Sequence, residues 1–463
     1  MVVGEFTQET DLLILGGGPG GYHAAFRAGE HGIQTTIVDE SGSLGGVCLQ
    51  RGCIPSKTYL HVAELLHMGE TAAQMGIQYG KPKIDVDAVR KWKNDVVAKL
   101  IGGLDAQCRK YKVDKVSGRA RFEDSKTVVL EGGTVSRIKF RRCIIAVGSK
   151  SMTLPPALNL DSPKVMGSRA ALELESVPKT LLVIGGGYIG IELGQVYAAL
   201  GSRVTVVEML PSIVAGADAD LVRPLQRRLE SQFEQICVET KLAGLKDVKG
   251  GVEAKFEGKN PPKTNTFEKV LVSIGRKPNT ATLGLDKTKV QVDPRGFIQV
   301  DAQFRTADPK IYAIGDCIGN PMLAHKALSE GRVLADILAG KNEVFDPRAI
   351  PAVVFTDPEI AWAGLTEAEA KAKNLDIVVK KIPWGASGRA VAIGRTDGMT
   401  KLIFDKATHR LIGTGMVGVH AGEMIAESVL ALEMGATAYD LMTTIHPHPT
   451  LSEMVGEAAG MVE

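Results

Sequence analysis

The feature that most constrains this chain is a pattern that occurs twice. Leu12-Leu13-Ile14-Leu15 runs into Gly16-Gly17-Gly18-Pro19-Gly20-Gly21; a helical stretch from Tyr22 to Ala28 follows, then Thr35-Thr36-Ile37-Val38 and Asp39. About 170 residues later Thr180 to Ile184 runs into Gly185-Gly186-Gly187-Tyr188-Ile189-Gly190, a helix through Glu192 and Gln195, then Arg203 to Val207 and Glu208. Both read strand, Gly-x-Gly-x-x-Gly, helix, strand, acid. The first glycine makes the turn, the second lets backbone approach a pyrophosphate, and the third lets helix and strand pack closely. The helix N-terminus adds N–H donors and the positive end of a dipole. Asp39 is placed to accept from a ribose hydroxyl. Glu208 would repel a 2′-phosphate, and Met209-Leu210-Pro211 after it offer no arginine to hold one, which favours NAD over NADP. One such fingerprint is weak evidence; two complete copies are not a chance match.

Each copy has an echo downstream. Cys143 to Ser149 and Val270 to Arg276 are apolar strands that pass through a glycine, Gly148 and Gly275, and Lys310 to Asp316 is a third that ends in an acid. Asp316 either caps the next helix or, beside a bound flavin, contacts its ribityl chain. Pro321 to Ala327 opens a helix whose N-terminus favours negative charge. After Pro347 the character changes: Phe355–Trp362, Asp376–Ile382, Lys401–Asp405 and Leu411–Val417 read as antiparallel strands, Glu367–Lys373 and Gly422–Met434 as helices. The last helix is apolar (Met424, Ile425, Val429, Leu430, Leu432, Met434), and on spacing alone core is the expectation ahead of a subunit interface.

Between the first fingerprint and residue 60 lies Cys48-Leu49-Gln50-Arg51-Gly52-Cys53-Ile54-Pro55-Ser56-Lys57. Residues five apart in a regular helix have Cα atoms roughly 8–9 Å apart, and a disulfide tolerates about 7 Å at most. A bond between Cys48 and Cys53 therefore needs distorted backbone, for which Gly52 and Pro55 are suited, and such a ring is easy to reduce. The other reading is two buried free thiols.

Length and composition set the remaining bounds. At 463 residues the chain fits two to four domains. A net charge of +2 gives no reason to expect nucleic acid or an anionic membrane, and no apolar run is long enough to cross a bilayer. Met1 to Asp11 carries three acids and no base, unlike a leader peptide. Six scattered cysteines do not form a secreted framework, so a reducing cytoplasm is expected, and no metal site is.

The cysteine loop, the two fingerprints, Ile311 to Asp316, Leu323-Ala324-His325-Lys326 and His446-Pro447-His448-Pro449-Thr450-Leu451-Ser452-Glu453 occur in one order along the whole chain. Together they resemble the pyridine nucleotide–disulfide oxidoreductases, and within them the dihydrolipoamide dehydrogenases. The resemblance implies an α/β fold of two Rossmann-like domains, the NAD domain inserted in the FAD domain, with a C-terminal α+β dimerisation domain. The boundaries expected are 1–150 and 276–346 for FAD, 151–275 for NAD, and 347–463 for the homodimer interface. It implies oxidation of a protein-bound dihydrolipoyl group on a lipoylated carrier, through a Cys48–Cys53 disulfide and FAD to NAD+.

By the same resemblance Cys48 is the interchange thiol and Cys53 the thiolate against the flavin. Lys57 lies near the flavin N5 edge with Glu192 as its partner; the plainer reading of Glu192 is an acid in a helix first turn. His448, supplied by the other subunit, takes the proton from the dihydrolipoyl thiol, and Glu453 orients it. FAD is expected at Gly16, Gly18, Gly21, Asp39, Glu40, Gly46, Lys57, Ala120, Gly148, Asp316, Met322, Leu323, Ala324 and His325. NAD is expected at Gly185, Gly187, Tyr188, Ile189, Gly190, Glu192, Glu208 and Gly275. His446 has no such role. The chain departs from the family with Gln50-Arg51 where Asn-Val is usual, Val147 where threonine is common, and Pro447 where a small residue is usual. Two other readings are a sister disulfide reductase with another substrate, and a flavoprotein that scaffolds a lipoyl carrier with little turnover. The second has no physical need for Cys48, Cys53, His448 and Glu453 together.

Overall fold

The computed structural model describes residues 7–462 apart from Thr134. Residues 1–6 of the acid-bearing N-terminal stretch lie outside the described residues. The chain divides into two compact units, 1–58 with 87–152 and 275–346, and 59–86 with 153–274 and 347–463.

The first unit is built on a seven-stranded sheet. Its path runs Val113–Ser117, Thr35–Asp39, Thr7–Leu15, Arg137–Ile145, Thr127–Glu131, Arg119–Asp124, and Ile311–Ala313 also pairs with Arg137–Ile145. The pairs around Thr7–Leu15 are parallel, and the strands from 119 to 145 form an antiparallel meander. Successive residues of the first strand point to opposite faces, and both faces are covered. Leu12 and Ile14 pack with Ala24, Ala25 and Phe26 of the helix Pro19–Glu30 and with Leu334 and Ala335 of the helix Ala324–Leu338. Leu13 and Leu15 pack instead with Phe122, Val128, Ile138 and Ile298. This is why the strand reads as an unbroken apolar run rather than an alternating one.

The second unit repeats the scheme. Gln235–Cys237, Arg203–Val207, Thr180–Ile184, Lys269–Val272 and Val165–Gly167 form a parallel sheet in that order. A three-stranded antiparallel sheet, Thr240–Val248, Gly251–Gly258 and Thr266–Phe267, contributes Val252, Ala254 and Phe267 to the core around Leu182 and Ile184. The unit ends in a five-stranded antiparallel sheet ordered Ala352–Val354, Glu359–Gly364, Leu411–Gly418, Met399–Asp405, Ile377–Pro383.

Two expectations for this C-terminal part need correction. The strand expected from Phe355 begins at Glu359, because residues 355–358 form a turn. Thr356 Oγ1 donates to Pro358 O at 2.7 Å, and Pro358 cannot donate to a ladder. The helix Ala421–Met434 is not simply core. Ile425 and Leu432 are buried, whereas Leu430 and Met434 are 62% and 76% exposed, with Tyr439, Met442 and the 95%-exposed Ile445 following. One face packs on the sheet, and the other exposes Leu430 and Met434 beside Glu423 and Glu433.

The second unit also holds a buried cation. The Lys401 side chain is 1% exposed, and its Nζ lies 2.7 Å from Asp218, 3.0 Å from Asp220 and 3.0 Å from Glu367. These contacts join the strand Met399–Asp405 to the start of the helix Ala219–Gln232 and to the helix Glu367–Ala372. Lys371, with Lys401 and Lys381 behind it, holds the Glu367 carboxyl down at about 2. Its contribution to stability is therefore present at neutral pH and is lost as pH falls from the ordinary carboxylate range toward about 2. Lys401→Met should lower unfolding free energy by about 3–5 kcal/mol, because it leaves partly buried carboxylates without their cation. Urea titrations across pH should show a shallower acid loss in the variant; equal stabilities at neutral pH would contradict this account.

Candidate active site

The two fingerprints fold into the same local geometry. Gly16 and Gly185 have φ of +108° and +103°, and a Cβ there would lie 2.3 Å from Ala146 O and 2.5 Å from Ser273 O. Only glycine fits. A Cβ on Gly21 or Gly190 would sit 1.9 Å or 2.2 Å from the carbonyl oxygen of Gly16 or Gly185. Gly18 and Gly187 differ: each is the extended N-cap of its helix, and a Cβ on either would meet nothing within 4 Å. The space in front of each helix N-terminus is thus kept open where a phosphate would need it.

The acids after the second strands are already oriented. Asp39 Oδ2 accepts from Gly17 N at 2.8 Å, and its Oδ1 accepts from Ser41 N and Ser41 Oγ. Glu208 Oε2 accepts from Gly186 N at 2.6 Å, and its Oε1 from Leu210 N at 2.8 Å. A carboxylate has about four acceptor sites, so both retain capacity for ribose hydroxyls. Glycine-bounded space, a helix N-terminus and an oriented acid fit a dinucleotide at each turn.

The remaining residues expected at the first nucleotide are placed as follows. Glu40 pairs with Arg119 at 2.9 Å on the surface, and Ala120 faces Leu130 across the antiparallel pair. Gly148 has φ +66° with open space beside it. Asp316 does not cap the next helix. It lies in the short 3-10 turn Gly315–Ile318 and accepts from Ser149 Oγ; Leu323 is the N-cap of Ala324–Leu338. Arg276 holds Ser149 in turn, donating to its Oγ and its carbonyl at 2.7 Å each. Met322 is half-buried and His325 is exposed in the first helical turn. Glu330, buried, accepts from Gly315 N at 2.6 Å and pairs with buried Lys326 at 2.6 Å. Sequence reasoning assigned no role to Ser149, Arg276, Lys326 or Glu330; the i,i+4 Lys326–Glu330 spacing in one helix was the available signal.

The cysteine segment is anchored to the first turn. Gly45 N donates to Gly17 O at 2.7 Å, and a Cβ on Gly46 would come within 2.6 Å of Gly18 Cα. From there the helix Gly46–Arg51 runs to Gly52, whose φ −148° and ψ −111° break it, and a second helix, Cys53–Gln74, begins at once. The break falls where a short link between the sulfurs requires it. Both members of the pair are free thiols in this structure. Cys48 is half-buried and its thiol is hydrogen-bonded to that of Cys53, which with burial pushes the Cys48 thiol far up; Lys57 opposes that rise. Cys53 is the exposed member. Gln50 donates to Ser43 O and Leu44 O at 3.1 Å and so supports the loop that carries the pair.

In the second unit Tyr188 opens the fingerprint helix and is 40% exposed, and Ile189 is half-buried. Glu192 is buried and accepts from Phe355 N at 3.0 Å. One turn on, Gln195 accepts from Asp357 N at 2.9 Å and donates to Asp357 O at 3.0 Å, as a strand would. Gly275, expected with the second nucleotide, falls in the first unit, where its carbonyl accepts from Met152 N.

His448 Nδ1 lies 2.8 Å from Glu453 Oε1, while Glu453 Oε2 accepts from Thr450 N at 2.7 Å. Glu453 is the first residue of the helix Glu453–Ala459, where the dipole favours a carboxylate. The Thr450 amide and then His448 hold its carboxyl below the usual range. With Nδ1–H donated to Glu453, the ring presents Nε2 outward, and the side chain is 79% exposed.

Residues 10–331 match the family profile of pyridine nucleotide–disulphide oxidoreductases, and residues 350–459 match that family's dimerisation domain. The chain belongs to the pyridine nucleotide–disulphide oxidoreductases. Within this family it is 47% identical over 457 residues to the dihydrolipoyl dehydrogenase of Haemophilus influenzae, covering 98% of this chain and 95% of that one. It is 43% identical over 461 residues to that of Geobacillus stearothermophilus, covering 99% and 97%. Among solved structures, LpdA from Mycobacterium tuberculosis superposes with a TM-score of 0.90 at 27% identity over 98% of this chain and 100% of that one. The HOCl-induced flavoprotein disulfide reductase RclA from Escherichia coli gives 0.87 at 26%, with the same coverage.

Like its relatives in the pyridine nucleotide–disulphide oxidoreductases, the chain uses FAD and NAD, and a carboxylate placed as Glu208 is would repel a 2′-phosphate. Repulsion of a 2′-phosphate plus one lost hydrogen bond should cost NADP on the order of 2–4 kcal/mol, or roughly 30- to 1000-fold in kcat/KM. Comparable kcat/KM values for the two nucleotides would overturn this assignment.

Proposed function

We propose that the chain is a dihydrolipoyl dehydrogenase that oxidises protein-bound dihydrolipoyl groups with NAD+. The observation that carries this reading is the Cys48–Cys53 thiol pair, set on a broken helix anchored directly to a dinucleotide turn. FAD belongs to residues 1–150 and 276–346, NAD to 151–275, and residues 347–463 form the interface.

The oxidised form of the pair is a disulfide. His448 Nε2 removes the proton from one dihydrolipoyl thiol, because only the thiolate is a competent nucleophile. Glu453 keeps the ring in the Nδ1–H tautomer and stabilises the imidazolium that forms. The thiolate attacks Cys48 and breaks the Cys48–Cys53 bond, leaving Cys53 as thiolate. The second lipoyl sulfur, after giving up its proton, then closes the lipoyl ring and expels Cys48. The two electrons of the dihydrolipoyl group now reside on the cysteine pair. Bound FAD supplies the relay of that electron pair to NAD+. The charge of Lys57 reduces the cost of negative charge at Cys48.

The dimerisation domain supports a homodimer, and the exposed side chains Leu430, Met434, Tyr439 and Ile445 are the surface that a second copy would cover. His448 of each subunit serves the thiols of the other. The carrier is a lipoylated protein and the compartment the cytoplasm; among the described residues no helix is long and apolar enough to cross a membrane.

His448→Gln should lower lipoamide turnover by on the order of 10²–10⁴-fold with flavin content unchanged. Mixing inactive His448→Gln with inactive Cys48→Ser subunits should recover about a quarter of wild-type activity, because half of the dimers are then mixed and each has one intact site. Persistent inactivity after verified subunit exchange would show that each site is built within one chain.

A further inference from the structure

The sequence left His446 without a role, yet it is the more tightly held of the two histidines in its loop. Its side chain is 9% exposed. Nε2 lies 2.6 Å from Glu427 Oε1 and Nδ1 lies 3.0 Å from Thr444 O. Three helices converge on the ring. Glu427 belongs to Ala421–Met434, and Thr444 follows Ala438–Thr443, to which its hydroxyl is tied through Asp440 O at 2.8 Å. Gly456 belongs to Glu453–Ala459, and a Cβ there would come within 3.2 Å of both His446 Cε1 and Nδ1. That last helix begins with Glu453, the residue that orients His448.

Both ring nitrogens of His446 face acceptors. A neutral imidazole has one N–H and would set a lone pair against either a carbonyl or a carboxylate oxygen; the imidazolium donates to both. The charged groups around it are Glu427 on the first helix, and Glu453 and Glu457 on the third, which share with His446 the wall of an open cavity of about 400 Å³. On its own loop there is His448. Asp440, on the second helix, is occupied by Thr437 at 2.7 Å. The His446 charge is among the influences that hold the Glu453 carboxyl down.

We propose that His446 is a positioning residue for the proposed proton transfer: held between Glu427 and Thr444 and packed against Gly456, it fixes the helix that carries Glu453 and so the orientation of His448. This rests on the reading of His448 as the base.

The test is the split between kcat and KM for dihydrolipoamide oxidation in the flavin-loaded dimer. His446→Asn should lower kcat by roughly 10- to 100-fold and leave KM and flavin content nearly unchanged. Glu427→Gln, a near-isosteric change that removes the carboxylate facing Nε2, should lower kcat by a smaller factor with the same split. Wild-type kcat in both flavin-loaded variants, or a KM that rises as far as kcat falls, would overturn the proposal. Failure of the underlying reading looks different: His448→Gln would then retain activity whatever the Glu427 variant did.

Discussion

The rest of the structure depends on how closely backbone approaches backbone at the two glycine turns. At Gly16 and Gly185 the first strand ends against the carbonyl just beyond the neighbouring parallel strand, at a distance and a φ that no side chain permits. Because the turn is that tight, the helix starts directly beyond the strand end, and the third glycine lets it lie against the turn it has just left. The outcome is a helix N-terminus with open space beside its N-cap, Gly18 in one copy and Gly187 in the other. A methyl group at any of these positions would cost either the packing or the phosphate.

A second device recurs at four acids. Asp39, Glu208, Glu453 and Glu330 all accept from backbone N–H groups before any ligand is considered. Those bonds fix the carboxylates in orientation and favour their charged form. They also leave some acceptor capacity unused. Asp39 and Glu208 direct theirs toward the space beside the glycine turns, Glu453 toward His448, and Glu330 toward Lys326. Preorganisation of this kind lets a short polar side chain act in one direction only.

The thiol pair joins the two themes. Gly45 and Gly46 fasten the cysteine segment to the first turn, and Gly52 breaks the helix so that the two sulfurs meet. Burial and mutual hydrogen bonding favour the neutral thiol at Cys48, and the Lys57 charge works against them.

The sequence by itself determined the two strand–turn–helix units, their acids, the cysteine pair and the His448–Glu453 spacing. Each of these is a local requirement, in which one backbone conformation admits only one residue type or a fixed separation brings two side chains together. It also announced the antiparallel C-terminal sheet, while misplacing the start of one strand that Pro358 delays. What the sequence could not carry were contacts between segments remote along the chain. Arg276 holding Ser149 beneath Asp316, Gln195 pairing with the Asp357 backbone, and Lys401 enclosed by Asp218, Asp220 and Glu367 all join residues more than 30 positions apart. No periodicity records such pairs. Only the tertiary structure decided that the helix at 421–434 buries Ile425 but exposes Met434, and that His446 is held between two acceptors while His448 is exposed. The physical reason is the same in each case: a side chain's burial and protonation are set by what the fold brings against it, and a chain spells out only its nearest neighbours.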